Sequence, residues 1–283
     1  MKLKIIYLLI FFFMFLNLSQ AAAEWSELKG EHFLVYYQPD YQDFAKEVSL
    51  QSEKYYDSIA RDLGYVRFSN FWKWNNRVKI YIYPDHESFI QGTGQNAWSH
   101  GVADYQKKMI VSYAWGRGFL DLLLPHEMAH LIFRDFVGFT GQIPLWLDEG
   151  VAQWEEEKIR NQRKKMVKQL AQNSLLLSLD ELMQLDVRKI NGQEKIKIYS
   201  INKDNFQKQL LELEGNTLVD VFYLQAFSLI GFLIEEYSAE NFLIFCRQLR
   251  DGKTINDALK FSYPVQMRTT AELEKKWCEY VFN

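Results

Sequence analysis

The chain has little cysteine, proline or histidine, and it has no excess of charge of one sign. Its 283 residues include 2 cysteines, 5 prolines and 5 histidines, with 33 basic residues against 36 acidic ones. Two cysteines cannot make the disulfide framework of a small secreted scaffold. A formal net charge of −3 provides no general basic field, so we expect no nucleic-acid partner. Cys246 and Cys278 could pair in an oxidising compartment or stay as buried thiols.

Apolar and aromatic residues are plentiful in this chain. They make up 48% and 16% of it, which is typical of a globular protein with a substantial core. The length suffices for one well-packed domain of two lobes or for two small domains. We find no internal repeat and no low-complexity segment.

The N-terminus has the three parts of a secretory signal peptide. Two lysines precede an apolar run over residues 5–18, and small residues ending in three alanines follow. The pattern predicts a signal peptide over residues 1–23, cleaved after Ala23, and an exported protein that is periplasmic or secreted. An uncleaved membrane anchor is the alternative, because the apolar run approaches the length of a span. We expect no later run of spanning length, and hence no stable membrane insertion after cleavage.

The hydrophobic pattern predicts an α+β fold built as one domain with two lobes. Residues 24–117 are expected to form the N-terminal lobe, with a mixed sheet and a helix over 42–63. Residues 118–283 are expected to form a helical, metal-binding lobe, with the active-site cleft between the two. The predicted strands are 32–37, 78–83, 101–105 and 109–113, the last two joined as a hairpin. Residues 187–216 are polar and are expected to form an irregular insert.

The segment His126-Glu127-Met128-Ala129-His130 is the most informative in the sequence. Residues four apart lie on one face of a helix, so both histidines can direct an imidazole at one metal ion. Glu149, separated from His130 by 18 residues, can supply a third ligand from a following helix. Three protein ligands and one open position are typical of a catalytic zinc site. The alternative, two solvated histidines on a surface helix, conflicts with the apolar residues around the motif, since buried imidazoles need compensation.

The pair of segments H-E-M-A-H and W-L-D-E-G-V-A resembles the gluzincin metallopeptidases, especially the signature shared with aminopeptidase N-like enzymes. The chain from residue 24 onward is also similar to the short bacterial peptidase-MA-like proteins. This resemblance implies a zincin-like fold, with Zn²⁺ bound by His126, His130 and Glu149, and with Glu127 as general base and proton shuttle. It also places Tyr223 where a catalytic tyrosine would steady the oxyanion. A tyrosine on an apolar helix is otherwise usually a packed core residue.

The sequence differs from two related families at positions that restrict the expected class of peptidase. Phe133 and Phe136 stand where the metzincin class needs glycine and histidine. The G-x-M-E-N segment that recognises a free amino terminus has no counterpart at residues 100–104, so we expect an endopeptidase. Residues 101–105 could hold an extended peptide by strand addition. His100 is either a further site group or a polar loop residue.

The sequence therefore predicts an exported zinc metallopeptidase that acts on a peptide or protein substrate. One alternative is a catalytically inactive, peptidase-like binding protein. The intact Glu127 argues against it, because a scaffold has no need of the base. The other is a zinc amidohydrolase acting on a non-peptide amide, which shares the same chemistry. The substrate and the oligomeric state are not readable from the sequence.

Overall fold

A mixed sheet forms the first part of the molecule in the computed structural model, which describes residues 24–64 and 72–282. The predicted signal peptide lies outside the described residues. The strands are β1 (Ser26–Lys29), β2 (Phe33–Tyr37), β3 (Val78–Tyr83), β4 (Gly101–Asp104) and β5 (Met109–Tyr113). The helices are α1 (Gln42–Asp62), between β2 and β3, and α2 (His86–Thr93), between β3 and β4. Sequence analysis missed β1, whose four residues are too few to show a clear pattern.

The sheet has the order β1-β2-β3-β5-β4. Strands β2, β3 and β5 are parallel neighbours, whereas β1 and β4 pair antiparallel at the two edges. Alternate residues of β3 (Val78, Ile80 and Ile82) are fully buried, which is the period of two expected of a strand with one face on the core. β4 and β5 form the predicted hairpin, and β4 is an edge strand whose other side has no strand partner among the described residues.

Helices dominate the remainder of the chain. They are α3 (Leu124–Val137), α4 (Leu145–Glu155), α5 (Glu157–Gln172), α6 (Leu179–Gln184), α7 (Gly215–Glu235), α8 (Ala239–Arg250), α9 (Ile255–Ser262) and α10 (Thr270–Phe282). The predicted α+β class is confirmed. Ser178 is the N-cap residue of α6, but its hydroxyl accepts no hydrogen bond from the helix, so it forms no capping box with Glu181. Cys246 and Cys278 are free, buried thiols.

The prediction of an irregular insert over residues 187–216 is wrong, because this segment contains a β-hairpin. Strands β6 (Lys195–Ile201) and β7 (Lys208–Glu214) pair antiparallel, with Ile196 opposite Leu213 and Ile198 opposite Leu211. These pairs face inward, while the lysines and glutamates between them face solvent. The many charges on the outer face hid the apolar alternation.

Helix α7 contradicts the expectation that no hydrophobic run after the signal peptide is long enough to span a membrane. Its 21 residues are long and apolar enough to cross a membrane, and it is the one such helix in the described part of the chain. However, 67% of its most apolar window is buried within the protein. Phe222, Phe227 and Ile230 are fully buried, so α7 is the central helix of the core.

The charged run that starts at Glu155 has the composition of a solvated face of one continuous helix. Instead α4 ends at Glu155 and α5 begins at Glu157, while Glu155 and Glu156 are only 4% and 5% exposed. One carboxylate oxygen of Glu155 is buried without a hydrogen-bond partner, and Arg160 Nη2 lies 4.0 Å from the other. Burial and the nearby carboxylate of Asp62 raise the pKa of Glu155 well above its ordinary value.

We expect Glu155→Gln to stabilise the fold at neutral and higher pH. Because the folded-state pKa is raised, the stability linked to this carboxyl is fully present below its ordinary value of 4.5. It is then lost as the pH rises toward the folded-state pKa. An amide does not titrate, so the gain should grow with pH to about 1–3 kcal/mol. Chemical unfolding between pH 4 and 8 measures it. Glu279→Gln, an exposed position on α10, is the matched control. A gain for Glu155→Gln that does not change with pH would contradict the explanation.

Candidate metal centre

Helix α3 carries the first two predicted ligands in its opening turns. A π-helical turn over Phe119–Leu123 leads into α3, and Pro125 lies in the first α-helical turn, just after the change from π- to α-helical structure. The α-helix that carries the two predicted histidine ligands therefore starts at this proline. His126 and His130 share one face, while the other faces are fixed in the core by Met128, Ala129, Ile132 and Phe133. The two rings are thus held by a well-packed helix.

Helix α4 brings the third ligand to the same point. Chain reversal at residues 138–144 turns α4 back toward α3, and Gly150 allows α4 to approach α7 closely. A Cβ at Gly150 would lie 2.7 Å from the carbonyl oxygen of Ala226 and from a side-chain carbon of Ile230. Any larger residue would push α4 away. Glu149, the preceding residue, points to the two histidines.

The three predicted ligands converge in the structure. His126 Nε2 and His130 Nε2 lie 3.2 Å apart. Glu149 Oε2 lies 3.8 Å from the first nitrogen and 4.0 Å from the second. Ligand atoms about 2.1 Å from a tetrahedral zinc ion are separated from one another by about 3.4 Å. The donor set and its spacing therefore fit zinc. That His126, His130 and Glu149 bind a metal ion, and that the site is catalytic, stay predictions.

Buried acids orient both imidazoles. His126 Nδ1 donates to Glu156 Oε1 at 2.9 Å, and His130 Nδ1 donates to Asp148 Oδ1 at 2.9 Å. Ionised carboxylates only accept hydrogen bonds, so each ring carries a proton on Nδ1 and directs Nε2 toward its partner ring. Two unprotonated nitrogens facing each other at 3.2 Å repel unless a cation or a proton lies between them. The tautomers that the acids impose are those of metal ligands.

Arg163 on α5 completes this support. Its Nη2 donates to Glu156 Oε2 at 2.8 Å, and its Nη1 donates to the Gln153 carbonyl at 2.6 Å. Sequence analysis missed Glu156 and Arg163, because their charged segment has the composition of a solvated helix. Asp148 was also missed, although it stands beside Glu149 in the W-L-D-E-G segment.

The charges around His130 raise its affinity for a cation. Burial alone would lower its pKa, but the carboxylates of Asp148, Glu149 and Glu127 outweigh that effect and raise the pKa to about 10. The same acids that hold a proton on this imidazole favour a divalent ion in its place. Metal binding at such a site would release protons.

Glu127 lies at a cavity of about 310 Å³, together with His126. Gln153 and Arg163 line the same cavity, and they also line a second one of about 470 Å³. Tyr223 lies in the second cavity. Burial and the Glu149 charge raise the pKa of Tyr223 to about 12, so its hydroxyl stays protonated and available as a donor. Tyr223 is thus close enough to Glu149 for that charge to act on it, and the catalytic role of its hydroxyl stays a prediction.

Tyr105 is a second tyrosine at the centre, and sequence analysis gave it no role beyond strand addition. Its ring meets the His130 ring edge-on at 6.3 Å between centroids, and the Arg134 guanidinium lies 4.6 Å above it. Burial and the charges of Asp148 and Glu127 raise its pKa. No feature of the sequence distinguishes this tyrosine from the other 15. His100 lines the first cavity, and its Nδ1 is 2.8 Å from the Tyr113 hydroxyl.

Comparisons with known proteins give distant structural neighbours only. No protein-family model matches the chain, and no curated protein matches it by sequence. Yeast LTA4 hydrolase in complex with bestatin is similar at 15% identity and a TM-score of 0.48, over 92% of this chain and 39% of that one. Native yeast LTA4 hydrolase gives 15% and 0.46, over 90% and 38%. Native leukotriene A4 hydrolase from Saccharomyces cerevisiae gives 16% and 0.44, over 85% and 36%.

This chain spans less than half the length of those neighbours. At such low similarity, the functional interpretation depends on the side chains of the site and not on what the neighbours do.

We expect Glu156→Gln to weaken zinc binding by about 10- to 100-fold, because it removes the ionised acceptor that orients His126. Competition with a chromophoric chelator measures the affinity. Glu157→Gln, an exposed neighbour at the start of α5, is the matched control. Equal zinc affinities of the two variants would show that Glu156 does not orient the ligand.

Proposed function

We propose that this protein is a zinc-dependent metallopeptidase of the gluzincin type. The observation that carries the proposal is the convergence of His126, His130 and Glu149 on one point, with Glu127 at the adjoining cavity. Three protein ligands leave one coordination position for water or substrate, as in catalytic zinc sites. A closed structural site would need a fourth protein ligand.

Zinc held by these residues would act as a Lewis acid that activates a water molecule and polarises the scissile carbonyl. The chain itself supplies the proton transfers. Glu127 follows His126 on α3, and its carboxylate makes no hydrogen bond or ion pair with any residue in the ranges 24–64 and 72–282. It is therefore free to accept the proton of the attacking water and to deliver it to the leaving amine. Tyr223 would donate to the oxyanion that develops on the substrate.

The free edge of β4 supports an extended peptide as the substrate. The backbone groups of β4 on the side away from β5 could bond to a peptide strand, and His100, the residue before β4, lines the cavity that holds Glu127. Because residues 100–104 lack a segment that would bind an amino terminus, we propose an endopeptidase. We also propose that residues 1–23 direct export and that the enzyme acts in the periplasm or outside the cell.

Two alternatives share the site. A zinc amidohydrolase on a non-peptide amide would use the same ligands and base, and it would cleave amides but no peptides. A binding protein without activity would need neither the unpaired Glu127 nor the open coordination position. The free β4 edge favours peptides over small amides.

Glu127→Gln should retain zinc and lose at least about 100-fold in kcat against a peptide library, because the amide cannot accept the proton. Metal analysis and mass-spectrometric detection of cleavage products measure the two properties on the same samples. If wild-type protein loaded with zinc cleaves nothing that this variant leaves intact, the peptidase proposal fails.

Tyr223→Phe should lower kcat by about 10- to 100-fold and leave KM nearly unchanged, because the hydroxyl would act on the developing oxyanion and not on the ground state. Steady-state kinetics on a cleaved peptide measure both constants. Tyr105→Phe is the matched comparison, as the other half-buried tyrosine of the centre. A large loss of kcat in Tyr105→Phe with none in Tyr223→Phe would transfer the role to Tyr105.

A further inference from the structure

A second cavity adjoins the metal centre and has the lining of a side-chain subsite. Its volume is about 470 Å³, and it shares Gln153 and Arg163 with the cavity that holds Glu127. Ile159 and Met166 on α5 and Leu224 on α7 give it apolar walls. Because the two cavities share these residues, we expect a peptide that binds at Glu127 to place a neighbouring side chain in this space. We call it the Asp220 cavity.

Asp220 is the one carboxylate among the described residues that line this cavity, and it is exposed to solvent at the cavity surface. It precedes Tyr223 and Leu224 by about one helical turn on α7, so the three residues share a face. Its carboxylate makes no hydrogen bond and no ion pair with the residues that the structure describes. An unpaired acid beside apolar walls is suited to a cation on a long aliphatic stem.

Two arginines at or near the cavity already have acid partners. Arg163 donates to Glu156 at 2.8 Å. Arg188, whose charge reaches Tyr223, donates to both carboxylate oxygens of Asp186 at 2.7 and 3.0 Å. Asp220 is thus left as the uncompensated charge of the cavity, and charge complementarity favours a positively charged occupant.

We propose that the Asp220 cavity selects a lysine or arginine side chain of the peptide substrate. The aliphatic stem packs against Ile159, Met166 and Leu224, as long basic side chains do on apolar surfaces. The ammonium or guanidinium group binds the Asp220 carboxylate. This assignment rests on the proposed peptidase function and adds to it a preference for a basic residue close to the cleaved bond.

A binding assay tests the proposal without requiring cleavage. Zinc-loaded Glu127→Gln protein is titrated against fluorescent seven-residue alanine peptides, acetylated and amidated, whose central residue is lysine, arginine, norleucine or glutamate. Lysine and arginine peptides should bind about fivefold more tightly than the norleucine peptide, the size expected of a solvent-accessible ion pair. Adding Asp220→Asn should remove that difference and leave norleucine binding unchanged.

Charge reversal sharpens the test. Asp220→Lys, in the same background, should make the glutamate peptide bind more tightly than the lysine peptide. Asp57→Asn, an exposed carboxylate on α1, controls for the general loss of negative charge and should leave the basic preference intact. A norleucine peptide with a free amino terminus separates the two sources of positive charge. If Asp220→Asn weakens the binding of this free-terminus peptide and leaves the binding of the acetylated lysine peptide unchanged, the cavity binds amino termini and the proposal is overturned.

Other outcomes separate this proposal from the peptidase function. A basic preference that survives in Asp220→Asn, or no binding of any peptide, overturns the subsite. If wild-type protein cleaves peptides and shows no basic preference, the subsite fails alone. If the preference depends on Asp220 but no peptide is cleaved, the subsite stands and the peptidase function fails.

Discussion

The Nε2 atoms of His126 and His130 face each other at 3.2 Å, and hydrogen bonds to two acids fix the rings in that orientation. Asp148 and Glu156 each accept the Nδ1 proton, which turns both Nε2 lone pairs into the same small space. That arrangement is unfavourable unless a positive charge occupies the gap. The surrounding helices hold the two rings and Glu149 around the position of that charge.

Several features of the fold follow from this constraint. Helix α4 stops at Glu155, and the break before α5 lets Glu156 turn inward to His126. Arg163 then balances Glu156 from the second turn of α5. Gly150 lets α4 lie against α7, so Glu149 and Tyr223 share one region near the metal centre. Chain breaks that look like interruptions of regular structure therefore place side chains at the site.

The sequence predicted that His126, His130 and Glu149 would converge. Helix periodicity alone puts the two histidines on one face, and the glutamate spacing is a local property of two helices and a reversal. The sequence did not predict Glu156 or Arg163. Their burial depends on how α4 and α5 pack, and no local pattern records that packing. Tyr105 was missed for the same reason. The β6–β7 hairpin was missed because exposed lysines and glutamates alternate with the inward-facing residues and give the segment a polar composition.

The acids of the centre fall into two groups, those that form hydrogen bonds within the protein and those that do not. Glu156 and Asp148 are each bonded to a histidine, and Glu156 also to Arg163, so their charges are compensated by the protein. Glu149 comes no closer than 3.8 Å to either imidazole nitrogen, and Glu127 has no hydrogen-bond or ion-pair partner in the described ranges. A partly buried carboxylate left unpaired costs stability. Glu149 and Glu127 are the acids of the centre that make no hydrogen bond in the described ranges. The sequence assigned metal binding and proton transfer to these two, as expected where stability is given up for function.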